Sequence, residues 1–166
     1  MSYKHFVLGG FMEFSISLQE YSFERVTRET INHLVDLALE LWPDNERENL
    51  LRDTLLLLDD LENNIFFVCK NINQYIGFIH VSLRHDYVEG AYFSPTGFIE
   101  GIYVKESFRG IGIARKLVEY GEAWSREKGC SQLASDIELN NKCSFNFHNS
   151  IGFKEVNRII CFIKNI

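Results

Sequence analysis

Arg109-Gly110-Ile111-Gly112-Ile113-Ala114 joins the apolar run Gly97 to Val104 to an amphipathic run that closes on Gly129. The first run reads as a central strand. The second, Gly112 to Lys128, places Ile113, Leu117, Val118 and Trp124 where they can pack on a sheet, and Gly129 stops it as a helix. A glycine-rich turn from strand into helix lets backbone N–H groups approach an anion at the helix N-terminus, and a pyrophosphate fits there. From these residues alone, a tight turn with no ligand reads equally well.

Outward from this turn the elements alternate. Ser131 to Ser135 reads as the next strand, Ser144 to Ser150 as a short helix, and Phe153 to Ile163 as a final strand or hairpin arm. Upstream, an extended stretch at Tyr21 to Val26 precedes a helix that Thr27 can cap, with Glu29 in its first turn and a stripe of Ile31, Leu34, Val35, Ala38 and Leu41 before Pro43. A second helix is expected from about Glu46 to Leu61, then a strand Ile65 to Cys69, a turn Asn71 to Gln74, and a return strand Tyr75 to about Leu83. Arg84 to Thr96 is a polar and aromatic loop. The order predicts one α/β domain, an α+β mixed sheet with helices on its faces, over residues 21–166. Residues 1–20 form a lead-in whose apolar patch, Phe6 to Phe11, is too short for a membrane span or signal core; a cytoplasmic protein is expected.

A formal net charge of -6 disfavours a nucleic-acid partner, which needs a basic stripe, and favours small cations. Cys69, Cys130, Cys143 and Cys161 lack the close pairing of a zinc site, and the histidines, His85 among them, have no patterned partner, so no metal is expected.

The spacing of Arg109, Gly112 and Ala114 matches the Arg/Gln-x-x-Gly-x-Gly/Ala signature of GNAT acetyltransferases. Asn141, His148, Gly152 and Phe153 follow at that family's distances, with His148 where the family more often has Tyr. Leu41-Trp42-Pro43, Arg84 to Gly90, Ser94-Pro95, Phe98 to Val104 and Ala134-Ser135-Asp136 extend the match over most of the domain. The chain thus resembles the aminoglycoside 6'-N-acetyltransferases, a branch that commonly carries His at the position of His148. The resemblance implies a single GNAT-like domain with a twisted, mostly antiparallel sheet and splayed central strands. It also implies acetyl-CoA as co-substrate, a cationic aminoglycoside as acceptor, and a homodimer.

The same resemblance distributes the site. Pantetheine would meet the backbone near Ile102, Tyr103 and Val104, and pyrophosphate the amides from Gly110 through Ile111, Gly112, Ile113 and Ala114 to Arg115, with Arg109 and Asn141 beside them. Trp42, Asn45, Tyr87, Glu100, Asp136 and Asn157 fall where relatives contact the amino sugar. Asp136 or Glu100, or a water that they hold, would take the proton of the amine, and His148 could return one to the thiolate. Each has a plainer reading: Asp136 as a turn cap, Trp42 as core, His148 as a helix-face histidine, Glu100 as a solvated acid. Strand alternation sets Glu100 on the face of Phe98, Ile102 and Val104. Two other classes keep the phosphate loop: a GNAT enzyme for another polyamine or a peptide amine, and a non-catalytic acyl-CoA sensor.

Overall fold

The computed structural model describes residues 20–72 and 74–166, so the lead-in, except Glu20, lies outside the described residues. Strands β1 (Ser22–Arg25), β2 (Asn64–Lys70), β3 (Tyr75–Arg84) and β4 (Thr96–Val104) pair in chain order, each antiparallel to the last. Strand β5 (Leu133–Ser135) joins β4 in parallel. A parallel neighbour needs a crossover, and helix α3 (Ile113–Glu127) supplies it. Helices α1 (Ile31–Leu41) and α2 (Arg47–Asp59) cover the other face, and α4 (Lys142–Ser150) follows β5. The predicted mixed sheet with flanking helices is the observed one.

Two layers of helix explain why β2 and β3 are apolar at consecutive positions rather than alternate ones. Ile79, Val81, Ile99 and Val104 pack with Ile113, Leu117, Val118 and Trp124 of α3. On the opposite face Phe66, Val68 and Phe78 pack with Leu34, Val35, Leu37 and Ala38 of α1 and Leu58 of α2. Helix α3 lies close against β3 because residue 121 is glycine: a Cβ there would stand 2.8 Å from Val81 Cγ2.

Two expectations need correction. The first helix does not begin on a Thr27 cap. Thr30 Oγ1 accepts the Thr27 N–H at 3.0 Å, closing a turn, and α1 starts only at Ile31, where the apolar stripe begins. No strand forms over Phe153 to Ile163 either. The apolar pattern suits a strand, but a strand needs an edge to pair with, and neither β1 nor β5 takes these residues up. Val156, Ile159, Ile160, Phe162 and Ile163 are left exposed.

Candidate active site

The β3–β4 register runs one to one from Gly77↔Val104 to His80↔Gly101 and resumes at Val81↔Ile99. Glu100 is therefore the extra residue of a β-bulge, the device by which a strand re-aims one side chain. Alternation correctly keeps Glu100 on the face of Phe98, but the bulge turns Ile102 and Val104 to the α3 core. Glu100 and Gly101 instead emerge together on the α1 face, where Trp42 closes over Gly101: a Cβ at 101 would stand 2.6 Å from the indole. The β4–β5 register ends at Ile99↔Ser135, so Glu100 and Asp136 each stand one residue past the last pair, where the strands part. Beyond it, Ile102, Tyr103 and Val104 offer a backbone edge with no β5 partner.

Glu100 is held on the α1 face by β3. Arg84 Nε and Nη2 reach its two carboxylate oxygens at 3.1 and 2.9 Å, and the Ser82 hydroxyl donates to it. The Arg84 guanidinium also lies 3.3 Å over the Phe98 ring. Burial pushes the Glu100 carboxyl up, but the bonds from Arg84 and Ser82 and the charges of Arg84 and His80 outweigh it, and its pKa is lowered. Glu100 is thus a fixed anion and a weak base.

Beneath it His80 is buried, its ring 4.0 Å from that of Phe66 and its Nε2 donating to Asn64 Oδ1 at 2.9 Å. Burial pushes its pKa down from 6.5 to about 4, against the pull of Glu100. The unfolded chain therefore binds this proton first. The stability that the neutral ring contributes is whole above pH 6.5 and drains as pH falls towards 4, by about 3 kcal/mol at most. Urea unfolding at steps from pH 7 to pH 4 should show this loss, and His80→Gln should flatten it. Glu100, with its lowered pKa, loses its contribution only at more acid pH, so a wild-type curve flat down to pH 4.5 would show that His80 is not buried neutral.

The other acceptor-side candidates fall into two groups. Trp42 is half-buried on the α1 core, tilted over Phe78 at 6.1 Å between centroids, and Asn45 folds back on the Trp42 carbonyl. Tyr87 is exposed; its hydroxyl donates to Glu89 at 2.7 Å, and Asn157 Nδ2 donates to the same carboxylate at 2.9 Å. Glu89 thus joins two candidates that are 70 positions apart in the chain. Asp136 is exposed, and its carboxylate takes no hydrogen bond or ion pair among the described residues.

On the loop side, Gly110 and Gly112 have φ of 81° and 95°, the left-handed region that favours glycine. Gly112 is the N-cap of α3, and the first-turn amides from Ile113 to Arg115 face away from any intrahelical acceptor. The Arg109 side chain buttresses the strand end, its Nε 2.8 Å from the Val104 carbonyl. Ile111 and Ala114 pack on the core and Ile113 is buried in it, so what these residues present to a ligand is backbone. Asn141 caps α4, its Oδ1 accepting the Ser144 N–H at 3.0 Å. His148 is buried, with Nδ1 2.8 Å from the Ser144 carbonyl and Nε2 3.1 Å from Ser135 Oγ.

The profile of the Acetyltransferase (GNAT) family matches residues 29–153, a span that holds both the parting strands and the glycine-rich helix N-terminus. The chain belongs to the GNAT family. Among curated GNAT proteins it is 39% identical over 126 residues to the aminoglycoside N(6')-acetyltransferase type 1 of Stenotrophomonas maltophilia, covering 76% of this chain and 81% of that protein. To the protein of the same name from Salmonella typhimurium strain LT2 it is 36% identical over 142 residues, 84% of this chain and 96% of the other. Its fold superposes with a TM-score of 0.84, at 33% identity, on AAC(6')-Iy in complex with a bisubstrate analogue, CoA-S-monomethyl-acetylneamine, covering 88% of this chain and 99% of that one.

Within this GNAT framework, Ser82 and Arg84 hold Glu100, Glu89 links Tyr87 to Asn157, and Ser135 meets His148, contacts that the sequence alone does not show. Arg84 and Ser135 stood inside quoted motifs without a role. The signal that finds them is the pairing register, which sets Arg84 opposite Thr96 and Ser135 opposite Ile99.

Proposed function

We propose that this chain transfers the acetyl group of acetyl-CoA to the 6'-amine of aminoglycosides and so inactivates them. The observation that carries the reading is that Glu100 and Asp136 each stand one residue past the last β4–β5 pair, where the strands part, on the strand that leads towards the α3 N-terminus and on the strand beside it. Acetyl-CoA supplies an activated thioester, so no enzyme nucleophile is required, and the buried Cys69 and Cys130 fit no such part. The first-turn amides of α3 bind its pyrophosphate, and the free β4 edge at Ile102, Tyr103 and Val104 takes its amide-bearing arm. An N–H near Ile102 steadies the oxyanion.

On the acceptor side, Glu100 is already neutralised by Arg84, so it orients the amino sugar as a fixed anion, while Asp136 faces solvent and takes the ammonium proton directly or through water. Trp42, Asn45 and the Tyr87–Glu89–Asn157 cluster form the flanks of the sugar site. The surplus of acids speeds the approach of a polycation.

The test is a panel of amines incubated with acetyl-CoA, read by thiol release and product mass. Kanamycin-type substrates should gain one acetyl group on the 6'-nitrogen. Analogues with a 6'-hydroxyl should not, because the neutral oxygen is a poor nucleophile in a site arranged to deprotonate an amine. Efficient turnover of the hydroxyl analogue, or of a peptide amine in preference to kanamycin, refutes this reading. The same preparation should sediment as a homodimer of the 19.4 kDa chain, since a second copy would cover the apolar side chains exposed from Val156 to Ile163; a monomer overturns that part. No described helix is long and apolar enough to cross a membrane, and we place the enzyme in the cytoplasm, where its co-substrate is made.

A further inference from the structure

We propose that the Ser135 hydroxyl, backed by the buried His148 ring, is the group that hands a proton to the departing CoA thiolate. The proposal rests on the acetyl-transfer reading above. Ser135 is the last residue of β5 and pairs with Ile99 at the final register position before the strands separate, so its side chain starts at the floor of the gap.

His148 stands where a proton donor is expected, yet neither ring nitrogen is open. Nδ1 lies 2.8 Å from the Ser144 carbonyl oxygen, which can only accept, so Nδ1 carries a proton. Nε2 lies 3.1 Å from Ser135 Oγ. The rings of Phe147 and Phe153 stand nearly perpendicular to the His148 ring, with centroids 5.4 and 5.2 Å away, and fix it in this orientation. In the neutral ring Nε2 accepts the Ser135 O–H. In the imidazolium Nε2–H donates to Ser135 Oγ instead, and the serine proton is released towards the gap; among the described residues the other hydrogen bond of this hydroxyl is its donation to the Asp136 carbonyl at 3.4 Å. His148 therefore acts through Ser135 as a positioning residue, and Ser135 is the group that touches sulfur.

The step balances. The acceptor nitrogen forms its bond to the acetyl carbon, the carbon–sulfur bond breaks with its electron pair going to sulfur, and sulfur takes the Ser135 proton. The serine oxygen takes the Nε2 proton of His148, leaving a neutral ring with Nδ1–H on the Ser144 carbonyl. The proton that the acceptor nitrogen loses on becoming an amide equals the one that later recharges His148.

Single-turnover acetyl transfer to a 6'-amino aminoglycoside, with CoA affinity measured alongside, tests the relay. Ser135→Ala should slow the chemical step by about ten- to hundred-fold while CoA affinity and acceptor KM hold. Ser135→Thr, which keeps the hydroxyl, should restore most of the rate. His148→Phe should cost a similar factor, and the double variant should be no slower than the worse single one, because the two act as a unit. A second readout needs no turnover: in the wild-type protein the ¹⁵N resonance of His148 Nε2 should respond to CoA and not to desulfo-CoA, and Ser135→Ala should abolish the response. A Ser135→Ala protein with the wild-type chemical rate, additive losses, or an equal response to desulfo-CoA overturns the relay. A wild-type protein that shows the thiol-dependent response but acetylates no 6'-amine supports the relay and overturns the acceptor reading instead.

Discussion

Asp136→Asn is expected to lower kcat/KM for a kanamycin-type acceptor by about ten-fold or more, within the range of general acid–base residues, while CoA affinity barely moves. The asymmetry between the two acids is the reason. Glu100 is committed to Arg84 and Ser82, and those contacts lower its basicity; the Asp136 carboxylate has no partner among the described residues and is exposed. Leu133 packs on the α3-side core and Ser135 meets His148, so alternation continued one residue past β5 sets Asp136 on the opposite face with Phe98 and Glu100. Asparagine keeps the shape and one acceptor oxygen but loses both charge and basicity. A folded Asp136→Asn enzyme with wild-type efficiency across pH would make Asp136 structural and move proton acceptance to Glu100 or its water. A collapse of CoA affinity would show that the cleft is divided differently.

Gly112→Asp should weaken CoA binding by roughly ten- to hundred-fold, the equivalent of losing one hydrogen bond to a charged group. The residue sits at φ 95° as the N-cap of α3, so a side chain strains the turn, and an acidic one also sets a negative charge beside the phosphates. Gly112→Ala separates the two effects because it adds strain without charge. Calorimetry with CoA, run beside a thermal melt of each variant, reads both. Equal affinity in a folded Gly112→Asp protein would remove the loop from the cofactor site.

The sequence made the layered fold legible because its signals are local. The stripe of Ile31, Leu34, Val35 and Ala38, the run from Tyr75 to Arg84, and Gly129 after α3 each report an element from its own residues. Boundaries were less so: the Thr27 to Thr30 turn competes with the cap that Thr27 could have made, and side-chain geometry decides the winner. The candidate residues were legible by type and motif, but their partners were not. Tyr87 and Asn157 share Glu89, and no spacing predicts a contact across that much chain. The C-terminal run Val156 to Ile163 carries a strand's composition, and composition cannot say which edge receives it.

By itself the sequence determined a glycine-rich strand-to-helix turn and a mixed sheet, because each depends on residue type and short-range spacing, and its resemblance to a known family singled out the acids and aromatics. Only the tertiary structure decided which way those side chains face. One extra residue in β4, set by pairing with β3, gives Glu100 to Arg84 and Ser82 and turns Ile102 and Val104 into the core. The end of the β4–β5 register places Asp136 and Ser135 at the gap, and the docking of α4 closes His148 onto Ser135. Register and docking are long-range properties, fixed by which faces can be buried together, and a period-2 pattern read along one strand holds no record of a bulge in its pairing.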